Sequence, residues 1–158
     1  MVPVAREMDM LRSSRIATVG AGVAAALVLS VVPATAVPPR SGATYSGHVA
    51  GAPSSQDAVT FVVSDNGKWV RRMHVGPWPL TGSCGSGGDR PHQSAQPAHI
   101  RKGKFTAHVV YRTDAGDVMA RATVTGTFLR NGREKGVVST HRISDSCDTS
   151  LPYTTQAQ

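Results

Sequence analysis

The chain has 158 residues, a formal net charge of +7 at pH 7 and few aromatic side chains. This length is enough for one domain with a modest core and too short for a double-barrel serine protease. The basic charge favours anionic partners such as wall polymers, acidic polysaccharides, extracellular nucleic acid or acidic protein faces, and a solvated basic surface without a specific partner is the alternative.

Residues 1–36 are predicted to be a signal peptide. Three arginines (Arg6, Arg12 and Arg15) precede an apolar run over residues 16–32, and Pro33 ends that run. The small residues Ala34 and Ala36 then form a signal peptidase site, so cleavage is expected after Ala36. The alternative is an uncleaved membrane anchor, because a run of about 17 apolar residues lies at the lower edge of a bilayer span. Removing three arginines and two acidic residues changes the net charge from +7 to +6.

The exported part is expected to begin with a flexible leader at residues 37–43, followed by an all-β domain at residues 44–158. Residues 44–49 form a first predicted strand. Residues 58–64 form a second, because Val59, Phe61 and Val63 alternate with less apolar positions. The turn at residues 65–67, Asp-Asn-Gly, predicts a hairpin that leads into a third strand.

The third predicted strand runs from Lys68 to Val75 and carries an irregularity. Its apolar alternation slips across Arg71 and Arg72, which predicts a β-bulge that turns both arginines outward. Pro77 and Pro79 flank Trp78 and are expected to end the strand pairing or confine it to a sheet edge. A long loop is predicted from residue 81 to residue 98.

The second half of the chain predicts a regular meander. Alternating apolar residues mark strands at residues 105–112 and 118–128, Asn131 and Gly132 form a hairpin turn, and a strand follows at residues 136–143. An acidic loop, Asp-Ser-Cys-Asp, precedes a last strand at residues 151–155. The predicted fold class is all-β: a single antiparallel β-sandwich or partly open β-barrel of seven to eight strands, connected as a hairpin meander.

The two cysteines, Cys84 and Cys147, both lie in the predicted exported part. In an oxidising compartment an even pair is expected to form a disulfide. Because the closed loop is long, such a bond stabilises the domain by about 4 kcal/mol in the chain-entropy model.

The order of strands and glycines resembles an uncharacterised family of small secreted actinobacterial all-β proteins. The resemblance starts with Phe61, Val63 and Ser64 followed by the turn Asp65 to Lys68. It continues with Cys84, the G-x-F pairs of Gly103 with Phe105 and Gly126 with Phe128, Gly136 and Cys147. It implies a fold and a secreted location and no activity. The segment RPHQSAQPAH, residues 90–99, is longer and richer in histidine than that pattern.

The loop GSCGSGGDRPH, residues 82–92, resembles catalytic loops only superficially. A chymotrypsin-like nucleophile needs an aspartate before the serine, and Gly85 stands there before Ser86. A catalytic Cys84 with His92 or His99 would require an exported thiol kept from pairing. A phosphate-binding loop would need a following helix, and none is predicted. No catalytic residue is therefore assigned.

The six histidines are candidates for metal binding, since imidazole suits zinc and copper. No two of them stand at H-x-H or H-x-x-x-H spacing on one element. We therefore assign no metal and no cofactor, and interpret them as surface residues.

Candidate partner-binding residues come from the basic groups and their neighbours. Two groups flank the long loop, and Trp78 could stack there on a sugar or base or anchor a protein interface; the alternative is that it packs over the end of the barrel. A third basic group comprises Arg130, Arg133 and Lys135. The assigned residues are Arg71, Arg72, Trp78, His92, His99, Arg101, Lys102 and Lys104.

The sequence thus predicts a secreted, monomeric, non-enzymatic β-domain. Its expected partner is an extracellular protein or anionic polymer of the cell envelope or medium, with no intracellular nucleic-acid role and no membrane association after signal cleavage. The alternative is an inhibitor of a secreted hydrolase that presents the loop 81–98 to its target, because rigidifying a loop reduces the entropy lost on binding.

Overall fold

The computed structural model describes residues 35–52, 58–76 and 91–158. The predicted signal peptide lies almost wholly outside these residues, as do Trp78, Cys84 and residues 81–90 of the predicted long loop. Among the described residues, no helix has the length and apolarity to cross a membrane.

The described residues form nine β-strands and one short 3-10 turn. The strands are β1 (Thr44–Val49), β2 (Ala58–Val63), β3 (Trp69–Val75), β4 (His92–Ala95), β5 (Ala98–His99), β6 (Lys104–Arg112), β7 (Val118–Phe128), β8 (Arg133–Arg142) and β9 (Cys147–Ala157). The 3-10 turn, Arg130–Gly132, connects β7 to β8.

All nine strands belong to one antiparallel sheet, in the order β4-β6-β7-β8-β9-β1-β2-β3-β5. The sheet curls into a half-barrel, so the all-β class is confirmed. The two separate sheets of a sandwich are not what the described residues form, and the strand count exceeds the predicted seven to eight. Because β9 pairs with β1, the first and last parts of the domain meet in the middle of the sheet.

The alternation of apolar residues in the sequence correctly predicts which side chains face the interior. Val59, Phe61 and Val63 are at most 1% exposed, and the predicted inward residues of β6 and most of those of β7 are buried. The predicted bulge is also present. The pairing of β2 with β3 shifts register between Thr60 and Val62, and Arg72 has a φ of 50°. Both arginines are exposed, because the extra residue lets the apolar phase resume inward at Met73.

The predicted loop 81–98 is wrong at its C-terminal end, where residues 92–95 and 98–99 form β4 and β5. The polar sequence of β4 lacks strand-favouring residues, so its conformation comes from tertiary pairing with β6. β5 pairs with β3 over Trp69 and Val70. The last two predicted strands are longer than expected, and β9 already begins at Cys147 within the predicted acidic loop.

A side chain links the edge strand β4 to the open side of β3. The Gln93 amide nitrogen donates to the Val75 carbonyl at 2.9 Å, and the Val75 N–H donates to the Gln93 amide oxygen at 3.1 Å. The carboxamide thus satisfies the same two backbone groups that a neighbouring strand would satisfy. It holds together the two edges of the curled sheet.

Replacing Gln93 with alanine is expected to lower the free energy of unfolding by about 1–3 kcal/mol, because the Val75 N–H loses its partner and the Val75 carbonyl keeps only the long 3.5 Å bond from the Tyr111 hydroxyl. Urea unfolding of the variant checks this. Ser94→Ala, on the exposed side of β4, is the matched control. A Gln93→Ala variant as stable as that control would show that the carboxamide does not hold the edges.

The core is built around four aromatic rings inside the half-barrel. Tyr45 stacks on Phe61 with ring centroids 5.1 Å apart, and Phe128 meets Tyr45 edge-on at 5.2 Å. Phe105 packs edge-on against Phe61 at 5.3 Å. These contacts join β1, β2, β6 and β7, so the cluster fixes the curvature of the sheet as well as burying apolar surface.

Residues 37–43, predicted to be a flexible leader, lie against one end of the sheet. The Val37 N–H donates to the Phe128 carbonyl at 2.9 Å, and the Arg40 N–H donates to the Tyr45 hydroxyl at 3.1 Å. These bonds bring Arg40 close to the turn between β7 and β8.

Cys147 is half-buried at the first residue of β9, opposite Arg142 on β8. Its predicted partner, Cys84, lies outside the described residues. The disulfide therefore stays a prediction.

Candidate functional site

The turns between consecutive strands lie at two opposite ends of the sheet. The β2–β3, β5–β6 and β7–β8 turns lie at the end where β1 begins and β9 finishes, because these strands pair in antiparallel register there. The β6–β7 and β8–β9 turns lie at the opposite end. Charge is distributed unequally between the two.

We call the first of these the basic end. Within the described part of the chain it carries eight exposed cationic side chains and a single exposed acidic side chain, Asp65. The cations do not form ion pairs with any described residue. They are Arg40, Lys68, Arg101, Lys102, Lys104, Arg130, Arg133 and Lys135.

At the opposite end three of the four described aspartates have a basic partner. His92 Nε2 lies 3.1 Å from Asp114, and His141 Nδ1 lies 2.8 Å from Asp148. Arg142 pairs with Asp145, and this ion pair lowers the pKa of the carboxyl. Aspartates are therefore concentrated at this end, where Arg142 compensates the charge of one of them, whereas the cations of the basic end have no such partners among the described residues.

The basic end is built by two adjacent turns. Arg101 and Lys104 exchange backbone hydrogen bonds at 2.8 and 3.0 Å, closing a two-residue turn in which Lys102 and Gly103 have φ values of 50° and 70°. The Phe128 N–H donates to the Gly103 carbonyl at 2.9 Å, which joins this turn to the start of the β7–β8 connection. Lysine at a left-handed position costs conformational energy that asparagine or glycine would avoid.

An aromatic pair lies beside the basic end. Trp69 begins β3 and meets His99 of β5 edge-on, with ring centroids 4.8 Å apart. Trp69 is half-buried and Arg71 is exposed on the same outer face of β3. Lys68 and Arg101 flank the pair along the chain. Aromatic rings beside cations can contact a sugar or base in addition to its acidic group.

The predicted partner-binding residues are thus only partly brought together. His99, Arg101, Lys102 and Lys104 belong to or border the basic end, and Arg71 and Arg72 extend from it along β3. His92 lies on the edge strand β4, paired with Asp114 near the opposite end, and does not join them. Trp78 lies outside the described residues.

A shallow groove of about 540 Å³ runs over the outer face of β6 to β9 and borders the basic end. One cross-strand row in it places Lys104 opposite Thr127, Thr127 opposite Lys135, and Lys135 opposite Thr154. The next row contains Thr106, Thr125, Val137 and Pro152.

Beneath this groove lies a buried polar cluster centred on Glu134, which is 1% exposed. Its carboxylate accepts hydrogen bonds from the Tyr153 hydroxyl at 2.9 Å and the Thr155 hydroxyl at 2.7 Å. Burial raises the pKa of Glu134 to about 7, although these bonds and one from the Thr127 backbone favour the charged form. Since this carboxyl is enclosed, we interpret the cluster as part of the barrel interior and assign it no contact with a ligand.

Sequence reasoning missed Trp69, Lys68, Arg40 and the Glu134 cluster. Trp69 could have been placed outward, because it precedes the inward-facing Val70 on the same side of the bulge. For Arg40, the contact with the β7–β8 turn depends on folding of residues 37–43, and the local sequence carries no signal for it.

The described residues contain no group of three or more histidine, cysteine, aspartate or glutamate side chains that could hold a metal ion. Two of the six histidines, His92 and His141, are instead in separate His–Asp pairs. No protein-family model, curated protein or solved structure matches the chain.

Proposed function

We propose that the protein is an exported, non-enzymatic β-domain that binds an anionic partner of the cell envelope or extracellular medium through the basic end. The observation that carries this proposal is the concentration of eight exposed cations at one end of the sheet, none of them ion-paired with a described residue. The acidic residues of the opposite end are largely engaged with partners.

Such an arrangement suits a polyanion for a physical reason. Like charges held on neighbouring turns repel one another, and a polyanion relieves this repulsion while releasing its own condensed counterions. The left-handed backbone at Lys102 supports the proposal as well, since a cation stands where glycine or asparagine would be less strained.

Binding is favoured over catalysis by the position of Glu134. A catalytic carboxyl with a raised pKa must be within hydrogen-bond reach of its substrate. The Glu134 side chain is instead enclosed by the barrel interior.

The proposal is tested with two double variants that remove the same charge from opposite ends. Arg101→Gln with Lys102→Asn is expected to weaken binding to dextran sulfate by about tenfold at low salt, because two cations of the basic end are lost. Asparagine suits the left-handed position of residue 102. The control, Arg112→Gln with Arg121→Gln, is expected to change the affinity by less than about threefold.

Fluorescence anisotropy with a labelled polymer gives the affinities, and thermal unfolding verifies that both variants are folded. If both double variants weakened binding equally, affinity would depend on the net charge of the protein and not on the basic end. Absence of wild-type binding at low salt would refute the proposal itself.

A further inference from the structure

We propose that the groove over β6 to β9 binds a saccharide polyanion carrying one acidic group on every second sugar ring, with Lys104 and Lys135 contacting successive acidic groups. This inference rests on the proposed function and names the chemical class of the ligand and its subsite.

The spacing of the two lysines supports this class. Lys104 on β6 and Lys135 on β8 both stand opposite Thr127 of the intervening strand β7. Two strand spacings separate them, or about 10 Å. A pyranose ring advances a chain by about half that distance, so acidic groups on alternate rings match the lysines.

The hydroxyl groups of the groove suit a sugar. The hydroxyls of Thr106, Thr127 and Thr154 make no hydrogen bond to any other described residue, and Thr106 and Thr154 are exposed. Thr125 donates to the Val137 carbonyl at a long 3.5 Å. Each free hydroxyl can both donate and accept, which complements the hydroxyls of a saccharide.

The floor of the groove gives an apolar contact between the charged and polar rows. Val137 is 36% exposed and Pro152 beside it is also exposed, so both present apolar surface to the face of a sugar ring. Beneath them, Gly126 has no side chain, and an added Cβ would lie 2.4 Å from a Glu134 carboxylate oxygen. A glycine is therefore required where the sheet passes over the buried cluster.

A nucleic acid fits the groove less well. A nucleic acid carries a phosphate on every nucleotide, so its acidic groups lie closer together along the chain than acidic groups on alternate sugar rings. The aromatic rings that line the groove, Phe105 and Tyr153, are buried and offer no stacking surface to a base.

The test compares hyaluronan oligosaccharides, which carry a carboxylate on alternate rings, with polygalacturonate, which carries one on every ring, and with single-stranded oligothymidine. Affinities are measured for the full chain and for two double variants. Lys104→Gln with Lys135→Gln removes both positive charges that line the groove. Arg130→Gln with Arg133→Gln removes the same charge from the basic end outside the groove.

The groove variant is expected to lose at least about tenfold in affinity for hyaluronan and clearly less for polygalacturonate, while the control pair weakens both ligands alike, by about threefold. Equal losses for both variants and both polysaccharides would overturn the subsite and leave the proposed function standing. Oligothymidine binding that is tighter than hyaluronan binding and lost in the groove variant would overturn the saccharide class. A chain that retains no polyanion at low salt would overturn both proposals.

Discussion

At pH 8 the Glu134→Gln variant is expected to be more stable than the wild-type chain by about 3 kcal/mol, and at pH 4 the two should be similar in stability. The folded-state pKa of Glu134 is about 7, against an ordinary value of 4.5. Folding therefore opposes ionisation of this carboxyl. Its contribution to stability is fully present below pH 4.5, is lost as pH rises from 4.5 to 7, and stays lost above pH 7.

The magnitude follows from the size of the pKa difference, since each pKa unit corresponds to about 1.4 kcal/mol. Glutamine keeps the shape of the side chain and can still accept the hydrogen bond from Tyr153. Urea unfolding at pH 4 and pH 8 measures the effect. Asp117→Asn, which removes an exposed carboxylate, controls for the change in net charge. A Glu134→Gln variant destabilised equally at both pH values would contradict the pKa and indicate lost hydrogen bonding alone.

Gly47→Ala is expected to destabilise the domain by about 3 kcal/mol or more, because there is no room for a methyl group where β1 pairs with β9. An added Cβ would lie 1.8 Å from the Thr154 carbonyl oxygen and 2.7 Å from the Thr155 Cα. Both atoms belong to the backbone, so no side-chain rotation relieves the clash. The two strands that join the first and last parts of the domain would have to separate.

Thr44→Ala is the matched control, since it truncates an exposed residue of the same strand and should change stability by less than about 0.5 kcal/mol. Chemical denaturation of both variants gives the difference. A Gly47→Ala variant within 1 kcal/mol of the wild type, as a rough threshold, would mean that the strands separate easily. The tight packing of β1 on β9 would then not be essential to the sheet.

The sequence predicts the interior of this fold well where strands alternate strictly. Val59, Phe61 and Val63 identify β2 and its inward face, and the strand bounds of β7 are correct. The edge strand β4 could not be predicted in the same way. Its residues are polar, and its conformation depends on pairing with β6 and on the bonds from Gln93 to Val75.

For the candidate site, too, the sequence predicts the residues but not which of them the fold brings together. The three basic groups are visible in the sequence, but the alternation of hairpins between two ends decides which of them meet. Glu134 was missed because a single glutamate between basic residues is typical of an exposed turn. Glu134 and Val138 are four residues apart on one strand and therefore share a face, so the apolar Val138 would have placed Glu134 inward.

Binding of a polyanion at the basic end is the central claim, and residue-resolved NMR tests it directly. Backbone amide signals of the labelled full chain are followed while a short dextran sulfate is added at low salt. We expect the largest shifts at residues 101–104 and 130–135, and reversal of these shifts by salt, since screening weakens contacts between exposed charges. Shifts centred on residues 113–117 and 143–148, or no shifts at all, would contradict the account.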